Sequence, residues 1–189
     1  MPKLGMEPIR RAALVQATIA EIGEAGSLDV TVSKIAKRAG MSSALAHHYF
    51  GGKDQIFVAA MRQILREYGD EVRSELGKAA GPRDRAEAIL RANFAPTCFA
   101  PANVSAWMTF YAQAQTNPQA MRLLRVYQAR LRSNLTHALR PLCADPAGAA
   151  DLMAALIDGL YLRSALTKPD ADPLGRALSF LRTLTEGGK

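Results

Sequence analysis

The residues best equipped for chemistry stand together in KIAKRAGMSSALAHHYFGGKD, residues 34–54, which holds His47, His48, a Tyr49-Phe50 pair and Lys53. They could serve as metal ligands, as acid–base groups or as a surface for a polyanion. The metal reading fails on geometry. Neighbouring side chains on a helix point about 100° apart, and helical ligand pairs need i, i+3 or i, i+4 spacing. The only other histidine, His137, is far along the chain. Catalysis lacks its parts: there is no nucleophile elbow, no carboxylate pair beside the histidines and no phosphate-cradling glycine loop. Gly51-Gly52-Lys53 is too short for the last and reads as a helix stop followed by a helix start. The expectation is no catalytic residue, no metal site and no cofactor.

The polyanion reading agrees with the composition. The 189 residues carry a formal net charge of +7, which favours an acidic partner such as nucleic acid. Residues 1–66 hold nine Lys/Arg against five Asp/Glu, while residues 67–189 hold fifteen against twelve. The basic excess is therefore concentrated at the N-terminal end. Nothing in MPKLGMEPIRR reads as a secretory signal, and no apolar run has the length of a membrane span. Cys98 and Cys143 lack CxxC spacing. They read as free, buried thiols in a reducing compartment, so the expected location is cytoplasmic.

The elements that must position the 34–54 stretch read as helices throughout, because apolar residues recur every three or four positions. A first helix from Pro8 to Ala25 carries Val15, Ile19 and Ile22 as its stripe and stops at Gly26. Thr31 caps a short second helix that buries Val32, Ile35, Ala36 and Ala39. Gly40 ends it, and Ser42 caps a third helix running to Phe50. A long fourth helix, Lys53 to Ala80, has Phe57, Met61, Ile64, Tyr68, Val72 and Leu76 as its stripe. Helices of 82–93 and 101–116 flank APTCFAPAN, a proline-broken loop. Asn117-Pro118, Asp145-Pro146 and Asp172-Pro173 each set a capping residue before a proline. They open helices of 118–142, 146–167 and 173–185. The fold is expected to be all-α with about nine helices. An N-terminal domain, residues 8–68, holds three short helices. The helical bundle of residues 69–189 follows.

The second and third helices, joined by a tight glycine-containing turn, form a helix-turn-helix. The third would enter the major groove N-terminus first. Ala46 and Phe50 face the core, leaving Ser43, Ala44 and His47 toward base edges. His48, Tyr49 and Lys53 can reach phosphates, as can the capping Ser42. Thr31 can offer its hydroxyl and the helix N-terminus to a phosphate. Lys34, Lys37 and Arg38 read as an exposed, solvated face.

TVSKIAKRAGMSSALAHHYFGGKDQIF resembles the DNA-binding segment of TetR-type transcriptional regulators. The likeness is carried by the first helix with its Gly26 stop, Ala39-Gly40, Ser42, Tyr49-Phe50 and Lys53. His47 stands where that family usually has Tyr, and Ala46 where it usually has Leu. MPKLGMEPIRR, AWMTFYAQA and ALIDGLYLRSAL further resemble the choline-responsive repressors of glycine betaine synthesis genes within the family. The resemblance implies an all-helical protein whose C-terminal domain dimerises and binds an effector. It implies a pseudopalindromic double-stranded operator, a homodimer and repression relieved by choline. Another cationic or aromatic effector is the alternative.

A quaternary ammonium has no hydrogen-bond donor on its cationic head, so aromatic faces, with a carboxylate beside them, suit its binding site. Trp107, Phe110 and Tyr111 share one helical face; Asp158 and Tyr161 share another inside the apolar run LMAALIDGLYL. These five are the candidate effector contacts. Helices 118–142 and 146–167 are more apolar than two-sided surface helices should be, and the resemblance implies that they pair with the same two helices of a second subunit, with the long fourth helix as the link between effector and DNA.

Overall fold

The computed structural model of the chain describes residues 5–27, 29–166 and 172–186. The leader residues 1–4 and the expected helix end at Thr167 lie outside them. Among the described residues there are nine α-helices and one short 3-10 turn. They are α1 (Met6–Ala25), α2 (Val32–Arg38), α3 (Ser43–Phe50), α4 (Lys53–Gly77) and α5 (Pro82–Asn93). After the turn Pro96–Phe99 come α6 (Pro101–Ala114), α7 (Pro118–Leu139), α8 (Pro146–Leu166) and α9 (Pro173–Glu186). No described helix is long and apolar enough to cross a membrane.

The caps read in the sequence set the ends. Thr31 accepts from the Lys34 amide and Ser42 from the Leu45 amide, each at 3.2 Å. Gly26, Gly40 and Gly51 all have positive φ, the left-handed backbone that glycine adopts without a Cβ penalty. Asn117, Asp145 and Asp172 cap α7, α8 and α9 through their side-chain oxygens. Several details differ from expectation, among them Val32, which is half-buried rather than buried, and the helix from Pro101, which ends at Ala114 rather than Thr116. Leu14 is fully buried in α1 while Val15 is half-buried. Ala39 is the C-cap of α2 rather than part of its stripe. The helix from Lys53 ends at Gly77, not Ala80, and the one from Pro118 at Leu139.

Contacts group the helices into two compact units. One comprises residues 1–66 with 100–123, the other residues 67–99 with 124–189. In the first, α1 packs on both α2 and α6, and α2 packs on α3. Its core includes Leu14, Ile22, Ile35, Ala46, Ile56, Phe57, Met61 and Phe110. The approach of α1 to α6 depends on Gly23, where an added Cβ would lie 2.5 Å from the Ala102 Cβ and 2.6 Å from its Cα. Helix α6 thus shares a core with the DNA-reading candidate, although it follows the long α4 in sequence. In the second unit α9 packs on α8 and α5 around Ile89, Leu90, Leu135, Leu139, Met153 and Leu181.

Candidate nucleic-acid interface and effector-side residues

Helix α3 is held from beneath by Ala46, which is fully buried, while Ala44, His47 and His48 are exposed and Ser43 is half-buried. Small residues at its start allow close backbone approach to a partner. Thr31 and Ser42 are exposed at the starts of α2 and α3, and Lys53 is half-buried at the start of α4. All eight sequence-derived DNA candidates therefore lie on α3 or on the helix starts flanking it.

The C-terminal end of α3 is tied down by residues that sequence spacing did not flag. Arg11 donates from Nη1 to the Tyr49 carbonyl at 2.6 Å. Its guanidinium carbon sits 4.5 Å from the Phe50 ring centroid, a cation–π contact. Arg10 donates to the Tyr49 hydroxyl at 3.4 Å. The Gly51 amide donates to the His47 carbonyl at 2.7 Å, and His47 Nδ1 lies 3.2 Å from the Gly51 carbonyl. No local signal marks Arg11, because its partner is 38 residues away.

Lys34 and Arg38 are not the merely solvated face the sequence suggested. Glu21 on α1 is only 4% exposed. It accepts from Arg38 Nε at 2.6 Å and has Lys34 Nζ at 3.5 Å, while Arg38 also pairs with Glu24. The Arg38 hydrogen bond holds the Glu21 carboxyl below its usual range against the opposing pull of burial. Two cations of α2 are thereby neutralised by α1. No acid among the described residues pairs with Lys37 or Lys53.

The effector candidates fall into two sets, each within one unit. On α6, Trp107 and Phe110 are buried and Tyr111 is half-buried. The Trp107 ring meets Phe110 edge-on at 5.7 Å and Tyr111 at 5.8 Å. On α8, the half-buried Tyr161 donates to the Cys98 carbonyl at 2.9 Å and packs on Phe99 at 5.2 Å. Asp158 is half-buried one turn earlier. The same unit holds two further aromatics, Tyr68, which the sequence placed on the stripe of the fourth helix, and Tyr127, which no spacing argument singled out. Tyr68 donates to Asn93 Oδ1 at 3.1 Å and meets Tyr127 edge-on at 5.6 Å. Burial above all, with Cys98 and Asp158 adding to it, pushes the Tyr68 phenol upward, so it stays protonated as the donor to Asn93. The one signal available was Asn93 itself, an amide at the end of α5 beside the apolar Ile89, Leu90 and Ala92. Cys98 and Cys143 are free but half-buried rather than buried; burial pushes Cys98 up to about 11.

An open cleft of about 410 Å³ in the first unit is lined by Asp54, Gln55, Gln113, Thr116, Asn117, Pro118 and Gln119. It presents amides and one carboxylate but no aromatic face, so it lacks the cation–π chemistry a quaternary ammonium requires.

A capped three-helix unit with a short exposed third helix and cations at its margins defines a helix-turn-helix DNA-binding protein. Comparison with known proteins narrows the class. The family described as bacterial regulatory proteins, tetR family, matches residues 14–60, and that described as BetI-type transcriptional repressor, C-terminal, matches residues 82–187. The HTH-type transcriptional regulator BetI of Brucella anthropi is 50% identical over 88% of this chain and 87% of its own. That of Rhizobium meliloti is 49% identical over 88% of this chain and 83% of its own. A transcriptional regulator from Pseudomonas aeruginosa PAO1 superposes with a TM-score of 0.83 at 26% identity, covering 98% of this chain and 92% of that one. A transcriptional regulator from Saccharomonospora viridis, solved in complex with choline, superposes at 0.81 with 21% identity over 93% of this chain and 95% of that one. The chain belongs to the BetI-type transcriptional repressors of the TetR family: a DNA-binding regulator, not an enzyme.

Proposed function

We propose that this protein represses genes for the conversion of choline to glycine betaine, and that choline relieves the repression. The supporting observation is the exposed outer face of α3, held rigidly by Ala46 below and by Arg11 at its end. On this reading Ser43, Ala44 and His47 meet base edges, while Thr31, Ser42, His48, Tyr49 and Lys53 meet phosphates of a pseudopalindromic operator. The division of labour falls at residues 68/69, with DNA binding before it and effector binding and dimerisation after it.

The homodimer is supported by α8. Leu152, Leu162 and Leu166 are 58%, 43% and 68% exposed, and exposed Ala155 and Gly159 lie between them on the same face. The spacing of these five, 3-4-3-4, is that of a coiled-coil seam, and an exposed apolar seam calls for a partner. The outer face of α7 is polar, with Arg125 and Arg130 beside the 42% exposed Val126.

For the effector, aromatic faces and a carboxylate are what a quaternary ammonium needs. The candidate contacts form two separate sets, Trp107 and Tyr111 with Phe110 behind them on α6, and Asp158 and Tyr161 on α8. The choline held by the Saccharomonospora viridis regulator, and the BetI name of the relatives, favour that ligand. Effector-driven movement of α6 would reach α1 through Gly23 and Ala102, in addition to the path along α4.

Fluorescence anisotropy of a duplex from upstream of the gene, with and without millimolar choline, tests the reading. Salt-sensitive binding weakened by choline is the expected result. Binding indifferent to choline removes the effector and leaves the repressor. A monomer in sedimentation at micromolar concentration removes the dimer, and Leu162→Glu is expected to produce that monomer.

A further inference from the structure

The contact of His47 with Gly51 fixes more than the end of a helix. A carbonyl oxygen can only accept, so the ring nitrogen 3.2 Å from it, Nδ1, carries the hydrogen. In the neutral imidazole the other nitrogen, Nε2, is then an acceptor with a free lone pair. His47 is exposed on α3, as is the neighbouring His48, but it is His47 whose ring is tied to the turn after the helix. In the major groove the donors offered by bases are the exocyclic amino groups of adenine (N6) and cytosine (N4). Guanine presents acceptors through N7 and O6, and thymine through O4; an acceptor at Nε2 gains nothing from either.

We propose that His47 determines operator specificity by accepting a hydrogen bond from an amino-bearing base, adenine or cytosine, on the strand it faces. The inference rests on α3 entering the major groove, but it adds a polarity that groove binding alone does not require. A tyrosine hydroxyl at this position could either donate or accept. The Gly51-bonded imidazole, while neutral, can only accept, so the discrimination is built by the backbone turn after the helix. The Gly51 φ of 82° sets the carbonyl that enforces it.

Two measurements test this at mildly alkaline pH, where imidazoles are neutral. The first is a long-range nitrogen–proton correlation spectrum of the free protein, which separates protonated from bare ring nitrogens. A protonated Nδ1 on His47 is expected; a protonated Nε2 overturns the proposal. The second is selection from random duplexes by the wild type and by His47→Phe, which keeps a ring at an exposed position and leaves the fold intact. The wild type is expected to select A or C at a position where His47→Phe is indifferent. Replacing that base by its analogue without the amino group is expected to weaken wild-type binding about three- to tenfold, the worth of one net hydrogen bond. It is expected to leave His47→Phe unchanged. Wild-type selection of G or T there, or identical selection by both proteins, overturns the proposal while leaving DNA binding intact. No sequence selection by the wild type at all defeats the groove reading as well.

Discussion

The pairing of Arg38 with Glu21 and Glu24 predicts how the salt dependence of DNA binding responds to substitution. Each phosphate neutralised by a protein cation releases condensed counterions, so the slope of log affinity against log salt changes by about 0.9 per contact. Lys53 stands at the start of α4 with no acid partner among the described residues, so its charge is available to a phosphate. Lys53→Gln should therefore reduce the slope by about 0.9 per subunit, or about 1.8 on an operator engaged twice. Over a fourfold rise in salt, from about 50 to 200 mM, that difference amounts to about twelvefold less affinity lost than by the wild type. Arg38 is the contrasting case. Its guanidinium is already spent on Glu21 at 2.6 Å and on Glu24, so Arg38→Gln should leave the slope unchanged. Its penalty should appear in the thermal midpoint instead, because Glu21 is left nearly buried without its main partner. The assay is anisotropy over a salt series on one duplex, with circular dichroism melting alongside. Equal slope reductions by the two variants would refute the reasoning, because Arg38 would then be exchanging its acids for phosphates on binding.

Other perturbations follow from the same contacts. Arg11→Met removes a charged hydrogen bond to the Tyr49 carbonyl and a cation–π contact with Phe50. It should cost about 1–2 kcal/mol of stability in urea denaturation and loosen operator affinity more than non-specific DNA affinity. Gly23→Ala places a methyl against Ala102, with a loss of about 1–3 kcal/mol expected for overpacking. Ala102→Gly should not fully restore it, since the Ala102 Cα remains 2.6 Å from the new methyl; full rescue in double-variant melting would contradict the geometry. Glu21, whose carboxyl is lowered chiefly by the Arg38 hydrogen bond, contributes stability above its unfolded value of about 4.3. That contribution should be lost as pH falls from there through its lower folded value. Glu21→Gln should flatten this acid limb in a pH series of melting curves; an unchanged limb would assign acid sensitivity elsewhere.

Which parts of this fold were legible in the sequence follows from the range over which each signal acts. The caps Thr31, Ser42, Asn117, Asp145 and Asp172, and the stops Gly26, Gly40 and Gly51, work within one turn, so the chain text places them directly. Periodicity likewise identifies which face of α2 is covered, though not by what. Partners distant in sequence escape it. Arg11 finds Tyr49, Tyr68 finds Asn93 and Tyr161 finds Cys98 only because the helices have already packed. The position of α6 is the largest such case. Its stripe of Ala106, Phe110 and Ala114 says that something covers it, but the steric reason it is α1 is Gly23, a residue that reads locally as a weakness in a helix. Glycine at that point exchanges helix propensity for backbone approach, and the exchange is visible only against Ala102. His47 shows the same limit at the functional site. The sequence offered a ring able to donate or accept; the bond to Gly51 removes one of those options. Specificity here is a property of the residue together with the turn behind it, so exchanging His47 alone between relatives need not carry the base preference with it.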